Sequence, residues 1–325
     1  MNVTILGAGA WGAALGKLLR KNGHAVTLWD IDARTLGELR AGHSERYLPG
    51  VALPTDWTTE LDWDRAVAGR DCLVFAVPSR VFRGVASRLV KPAPILVSVT
   101  KGIEYDTGLT MCRILQEAAP GCGIAALSGP SFALEVARGI PTAIVCASES
   151  DAVSRQAQAM FHRPTFRVYR STDTLGVELG GALKNIIAIG AGVCDGLGYG
   201  DNSKAALVTR AIAEMRRFGV ACGAQAETFA GLSGLGDLTV TCFSRLSRNR
   251  ALGERLGRGE TMEAIFASAP KLAEGHPTAR SAVRLARQLA VSTPIIDEVH
   301  AMLYEGKNVQ QAVQDLLGRA LKAED

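Results

Sequence analysis

The segment Gly180-Gly181-Ala182-Leu183-Lys184-Asn185-Ile186-Ile187-Ala188-Ile189 sets a lysine and an asparagine side by side in a run that is otherwise apolar or glycine. An ammonium enclosed by apolar side chains loses hydration, which lowers its pKa toward neutrality and lets it give and take a proton at working pH. The pattern also fits a lysine whose stem lies on an apolar helix face while its head reaches water. The choice rests on which other polar groups the chain can bring to it.

A second signature opens the chain. Gly7-Ala8-Gly9-Ala10-Trp11-Gly12 follows the apolar run Asn2 to Leu6 and leads into a helical pattern, Ala13 to Lys21. Strand, G-x-G-x-x-G and helix in that order predict a dinucleotide-binding turn. Gly7 permits the tight turn, Gly9 lets backbone approach a pyrophosphate, Gly12 allows close helix packing, and the helix N-terminus receives the negative charge. Asp30 ends the second strand, where an acid usually bonds the adenosine ribose hydroxyls and repels the extra phosphate of NADP. A helix N-cap before Asp32 to Arg40 is the competing reading of Asp30, and Arg34 is close enough to accommodate a 2′-phosphate. Val77-Pro78-Ser79 reads as a loop on the nicotinamide side at the carboxyl edge of the sheet.

Further segments put polar groups at the ends of apolar elements. Ser98-Val99-Thr100-Lys101-Gly102-Ile103 sets a lysine just past a strand. Ser128-Gly129-Pro130-Ser131-Phe132-Ala133 offers hydroxyls and backbone N–H groups at a helix start. Gly234-Leu235-Gly236-Asp237-Leu238 precedes Ser247-Arg248-Asn249-Arg250, where planar guanidinium groups suit bidentate capture of phosphate. Singly these also read as a surface lysine, an N-cap serine, a turn aspartate and a solvated basic run.

The elements that must position these groups fall into two classes. Up to about residue 173 short Val/Ile/Leu/Ala runs alternate with helical segments, the pattern of a parallel sheet buried on both faces by crossover helices. The strands are expected at Asn2–Leu6, Ala25–Trp29, Cys72–Val77, Ile95–Thr100, Gly123–Ser128, Thr142–Cys146 and Phe166–Tyr169. After Leu175 the strand signals stop, and helical spacing runs through Ala205–Arg217, Ala279–Leu289, Ile295–Leu303 and Val309–Leu317, the last capped by Asn308. The fold class is therefore α/β: a Rossmann-like doubly wound sheet over residues 1–175 and a second, all-helical domain over residues 176–325.

Composition narrows the function. The 325 residues carry 36 basic and 32 acidic side chains, a formal +4 that is too small and dispersed for a nucleic-acid surface but suits a small anionic ligand. The seven cysteines are scattered without metal-ligand spacing and read as reduced, mostly packed thiols. The first strand leaves no room for a charged and apolar leader, and apolar stretches such as Ile186 to Cys194 fall short of the ~18 residues of a membrane span. A cytoplasmic enzyme is expected, with a small-molecule phosphate as partner, no nucleic acid, no membrane span, no metal, and a homodimer as candidate assembly.

Taken in order, these segments resemble the bacterial type of NAD(P)-dependent sn-glycerol-3-phosphate dehydrogenase, from Val3 to about Leu321. The most specific pieces are T-K-G-I-E at Thr100 to Glu104, S-G-P-S-F-A at Ser128 to Ala133, G-G-A-L-K-N-I-I-A-I-G-A-G at Gly180 to Gly192, G-L-G-D-L at Gly234 to Leu238 and S-R-N-R at Ser247 to Arg250. The resemblance implies that Lys184 is the proton donor and acceptor at the C2 oxygen. It implies that Lys101, Gly129, Ser131, Lys184, Asp237, Ser247, Arg248 and Asn249 line the glycerol phosphate site. Ala10, Trp11, Ala133, Arg248, Leu272 and Glu274 would lie against NAD or NADP, with Lys101 close to both ligands and the site in a cleft between the domains. A role in glycerophospholipid biosynthesis follows from the same likeness. Asn185 or Lys101 would offset charge growing on the reacting oxygen, Lys101 and Arg248 would help depress the pKa of Lys184, and Asp237 would orient either Lys184 or a substrate hydroxyl.

Two positions depart from the family pattern. Asp30-Ile31 stands where members often carry Arg or His as a grip for the 2′-phosphate, which favours NADH. His276 and Pro277 replace bulky apolar or aromatic residues in the cofactor-side loop. The rival readings are another β-hydroxyacid-type dehydrogenase and a catalytically silent NAD-binding regulator.

Overall fold

The computed structural model describes residues 1–268, 273–321 and 323. The chain divides into two compact units, Met1–Lys101 with Leu109–Glu178, and Gly102–Gly108 with Leu179–Asp325. The short segment Gly102–Gly108 thus belongs to the helical unit, an assignment the change of periodicity near residue 175 did not reveal.

The first unit holds one sheet of eight strands: β1 (Asn2–Leu6), β2 (Ala25–Trp29), β3 (Thr58–Glu60), β4 (Cys72–Phe75), β5 (Ile95–Ser98), β6 (Gly123–Ser128), β7 (Thr142–Ala147) and β8 (Phe166–Ser171). Their order is β3-β2-β1-β4-β5-β6-β7-β8. The first six follow the doubly wound dinucleotide-binding order, which reverses direction between β1 and β4. Alternation along the strands builds two cores. Val3, Ile5, Cys72, Val74, Ile95 and Val97 enter one with Leu15, Leu19 and Phe161. Leu6, Leu73, Phe75 and Leu96 enter the other with Trp29, Trp63, Phe82 and Leu115.

Two expectations about the sheet need correction. The edge strand β3 went unread because Thr58-Thr59-Glu60 is short and polar, as edge strands commonly are. The sheet is also not wholly parallel, since β6 and β7 run antiparallel. The connecting helix Ala133–Arg138 has six residues and rises only about 9 Å, less than the roughly 20 Å of a six-residue strand.

The second unit contains helices and no strand among the described residues: Thr174–Gly196, whose first turns belong to the sheet unit, then Asp201–Ala221, Asp237–Phe243, Arg248–Gly257, Met262–Ser268, Gly275–Gln288, Pro294–Tyr304 and Val309–Leu317. Asn308 caps the last through Gln310 N and Gln311 N, as its sequence suggests. By length and composition Thr174–Gly196 could cross a membrane, with a mean hydropathy of 1.4 over its most apolar window, although no unbroken apolar run predicts it. That window is 94% buried inside the protein.

The helices Thr174–Gly196 and Arg248–Gly257 meet backbone to backbone. A Cβ on Gly192 would lie 1.9 Å from Arg250 O, and one on Gly253 1.8 Å from Ile189 O. Glycine is the residue that permits this approach, and the approach sets Lys184 and Asn249 on neighbouring frames. Gly253→Ala is therefore expected to lower stability by about 2 kcal/mol or more, read as a shift of the urea midpoint at unchanged slope.

Candidate active site

In the sheet unit, the candidate residues gather at the carboxyl ends of β1, β4, β5 and β6. Gly7 adopts φ +104, and a Cβ there would meet Ala76 C at 2.8 Å, while Gly12 packs against Gly7 O. Gly9 differs: a Cβ would come no closer than 4.0 Å, to Tyr47 Cε1, so the backbone is open on that side. The helix Ala10–Lys21 starts here with no side-chain cap and no acidic residue in its first turn. Its N–H groups and the open glycine edge fit a pyrophosphate, and Trp11 is half-buried beside them.

Asp30 ties this turn down. Its Oδ2 accepts from Ala8 N at 2.8 Å, and its Oδ1 accepts from Asp32 N at 3.1 Å. The helix Ala33–Arg40 is capped by Asp32, whose side chain accepts from Arg34 N at 3.0 Å, so Asp30 is not the cap. Arg34 is paired with Glu38 at 3.5 Å and points into solvent, with 87% of its side chain exposed. Ile31 is also exposed, at 83%.

Lys101 and Ser131 converge on one carbonyl. Lys101 Nζ donates to Gly129 O at 3.0 Å, and Ser131 Oγ donates to the same oxygen at 2.9 Å. Lys101 is half-buried instead of a plain surface lysine. Ser131 is not an N-cap either: Phe132 occupies that position before Ala133, without a side-chain cap. Thr100 Oγ1 donates to Val77 O at 2.7 Å, joining the ends of β4 and β5.

In the helical unit, Lys184 and Asp237 form a buried ion pair. Lys184 is 6% and Asp237 1% exposed. Lys184 Nζ lies 2.6 Å from Asp237 Oδ1 and donates to Thr241 Oγ1 at 2.6 Å. Thr241 in turn donates to Asp237 O at 2.6 Å, which aims its lone pair at the ammonium. A π-helical turn, Leu232–Gly236, delivers Asp237 as the first residue of the helix Asp237–Phe243. Burial pushes the neighbouring Cys242 thiol up to about 12, so no thiolate competes for the ammonium.

Besides its apolar neighbours, Lys184 therefore has a carboxylate and a hydroxyl at hydrogen-bond distance. Asp237 orients the lysine. Asn185 is tied into the scaffold: Asn249 Nδ2 donates to Asn185 Oδ1 at 2.9 Å, and Gly275 N donates to Asn249 Oδ1 at 2.8 Å. Three helices are joined by that chain.

Ser247 caps the helix Arg248–Gly257, accepting from Arg250 N at 3.1 Å. Arg248 is exposed at that helix start, whereas Arg250 pairs with Asp195 at 2.6 Å and with Glu254 at 3.2 Å. Glu274 precedes the helix Gly275–Gln288, and its carbonyl accepts from Thr278 Oγ1 at 2.6 Å. His276 packs against Tyr304, whose hydroxyl lies 2.9 Å from Nδ1, and burial lowers its pKa to about 4, so it is neutral. Ala133 opens its short helix, and Leu272 lies outside the described residues.

The chain is similar to known proteins along its length. The profile "NAD-dependent glycerol-3-phosphate dehydrogenase N-terminus" matches residues 2–154, and the corresponding C-terminus profile matches residues 173–314. The chain belongs to the NAD-dependent glycerol-3-phosphate dehydrogenase family. It is 48% identical to a glycerol-3-phosphate dehydrogenase [NAD(P)+] of Syntrophotalea carbinolica, over 100% of this chain and 99% of that one. A Geobacter sulfurreducens protein of the same name is 46% identical, covering 99% and 98%. The crystal structure of glycerol-3-phosphate dehydrogenase from Coxiella burnetii matches with a TM-score of 0.93 at 36% identity, covering 98% of this chain and 99% of that chain.

Two residues escaped the sequence reading. Thr241 lies one helical turn beyond Asp237, so i,i+4 spacing could have found it once Asp237 was placed on a helix. Tyr47, facing Gly9, sits outside any strand or helix, where no periodicity marks it.

Asp237→Asn tests the pair directly. The variant is expected to lose at least about tenfold in kcat, with NADH affinity little changed, and to lose roughly 3 kcal/mol of stability because a buried ammonium is left without its counter-charge. Steady-state kinetics, fluorescence titration with NADH and urea unfolding read the three effects.

Proposed function

We propose that this chain interconverts dihydroxyacetone phosphate and sn-glycerol 3-phosphate, with Lys184 as the general acid and base at the C2 oxygen. The nicotinamide dinucleotide, when bound, supplies or accepts the hydride at C2. The observation that carries this reading is the buried Lys184–Asp237–Thr241 cluster in a chain whose relatives are named for this reaction.

Lys184 gives its proton to the oxygen that becomes the C2 hydroxyl and recovers it in the reverse direction. Asp237 and Thr241 hold the amine in one rotamer, so little reorganisation is needed when charge develops on that oxygen. The Ser247 hydroxyl, Arg248 and Asn249 stand at a helix N-terminus, a favourable place for a phosphate, and Arg248 offers the planar fork. Lys101, Gly129 and Ser131 supply the polar contacts of the sheet unit. Gly7, Gly9, Ala10, Trp11 and Gly12 receive the dinucleotide, with Lys101, Ala133, Arg248 and Glu274 as further contacts. The product is the backbone of membrane phospholipids, so the role is biosynthetic and cytoplasmic.

The deciding assay measures NADH and NADPH oxidation separately with dihydroxyacetone phosphate. Turnover with this substrate supports the reading. Turnover with a hydroxyacid alone supports a different dehydrogenase of similar plan, and binding of NADH without any turnover supports a regulator.

Two substitutions refine it. Arg248→Lys keeps the charge but loses the fork, so KM for dihydroxyacetone phosphate should rise by about tenfold or more, against an unchanged KM if the side chain serves only solvent. NADH should be used at least as well as NADPH, because the Asp30 carboxylate repels a 2′-phosphate and Arg34 is engaged by Glu38. A strong NADPH preference in the parent that Asp30→Ala leaves unaltered would restrict Asp30 to holding Ala8 N.

A further inference from the structure

We propose that Tyr105, Arg280 and Arg284 form a positioning device for Lys101, acting through the backbone of the loop that follows it. The inference rests on the assignment of Lys101 to the substrate and cofactor site given above.

Lys101 is the last residue of the first segment of the sheet unit, and Gly102 is the first residue of the loop that belongs to the helical unit. Its main chain is therefore anchored twice. On the upstream side Thr100 Oγ1 donates to Val77 O at 2.7 Å and lies 3.3 Å from Phe75 O, fixing the strand end immediately before the lysine.

On the downstream side the loop is gripped by the helix Gly275–Gln288. The Arg280 guanidinium sits 4.2 Å from the centroid of the Tyr105 ring, and that of Arg284, one turn further along, sits at 5.1 Å. Arg284 Nη1 also donates to Tyr105 O at 2.9 Å. Leu285 lies under Gly108, where a Cβ would touch it at 3.4 Å. The loop is closed on itself as well, with Gly108 N donating to Glu104 O at 3.0 Å and Thr107 Oγ1 to Glu104 Oε2 at 2.6 Å. Ile103 is buried at 4% exposure.

The gripping helix is not an arbitrary support. Its first residue, Gly275, donates to Asn249, which donates to Asn185 beside Lys184. The loop that begins one residue after Lys101 is thus referenced to the same three-helix frame that carries the catalytic lysine.

Tyr105, Arg280 and Arg284 are exposed, so removing them opens no buried cavity. Their loss should loosen Lys101 without unfolding the protein. Tyr105→Ala is expected to raise KM for dihydroxyacetone phosphate and Kd for NADH about three- to tenfold, with kcat within about twofold of the parent. Tyr105→Phe, which keeps the ring under both guanidinium groups, should restore both constants.

The experiment is a double-mutant cycle read by steady-state kinetics and NADH titration on the parent, Tyr105→Ala, Lys101→Met and the pair. If Tyr105 acts through Lys101, adding Tyr105→Ala to Lys101→Met changes nothing further. Parent-like constants in Tyr105→Ala, or effects that multiply fully in the pair, overturn the inference. Should Tyr105→Ala unfold, Arg280→Gln with Arg284→Gln replaces it, with the same two outcomes. If the parent itself does not turn over dihydroxyacetone phosphate, the substrate assignment falls instead, and the NADH arm of the cycle still decides the role of Tyr105.

Discussion

Two opposite charges stand 2.6 Å apart at a point where neither Lys184 nor Asp237 reaches solvent freely, and the surrounding helices are arranged so that this is tolerable. Desolvating an ammonium and a carboxylate costs several kcal/mol per ion unless both are paired and hydrogen-bonded. Thr241 supplies the additional bond, and the π-helical turn before Asp237 brings the carboxylate to the first residue of its helix. Irregular turns of this type are frequent at functional sites, because they aim a side chain that a regular helix would direct elsewhere. The pair is weak evidence of stability, since replacing a buried ion pair by apolar residues of similar volume is often neutral or stabilising.

The position of the pair depends on backbone contacts that only small residues allow. Gly192 and Gly253 let two helices touch main chain to main chain, and Gly180 lets the lysine helix approach Ser233, where a Cβ would lie 2.6 Å from the carbonyl oxygen. Within the sheet unit, Asp30 accepts the N–H of Ala8 in the glycine-rich turn. Both of its oxygens accept backbone N–H groups, so replacing Asp30 alters the geometry of the turn itself.

Most of the architecture could be read from the sequence because two periods dominate it. Buried parallel strands wrote themselves as continuous Val/Ile/Leu runs, and β1, β2 and β6 fall within their expected limits. The Thr58–Glu60 strand was hidden because it is short and polar, and the reversal of β7 because strand composition carries no direction. At the site, residue types were visible and pairings were not. Lys184, Asp237 and Arg248 stood out as charged groups in apolar or glycine-rich settings, but nothing in the spacing from Lys184 to Asp237 tells that they touch. The bond from Asn249 to Asn185 was equally hidden, since an amide advertises hydrogen bonding without naming its partner. The allegiance of the loop after Lys101 was invisible for the same reason, as it is set by Arg280 and Arg284 far along the chain.

The central claim is that Lys184, held in place by Asp237 and Thr241, transfers the proton at the C2 oxygen. The most direct measurement is single-turnover oxidation of bound NADH by dihydroxyacetone phosphate in Lys184→Ala, alongside the NADH dissociation constant of the same variant. The account predicts a rate lower by about 10²-fold or more with NADH binding unchanged within roughly threefold. A rate close to that of the parent, with NADH bound normally, would contradict it and remove Lys184 from the chemistry.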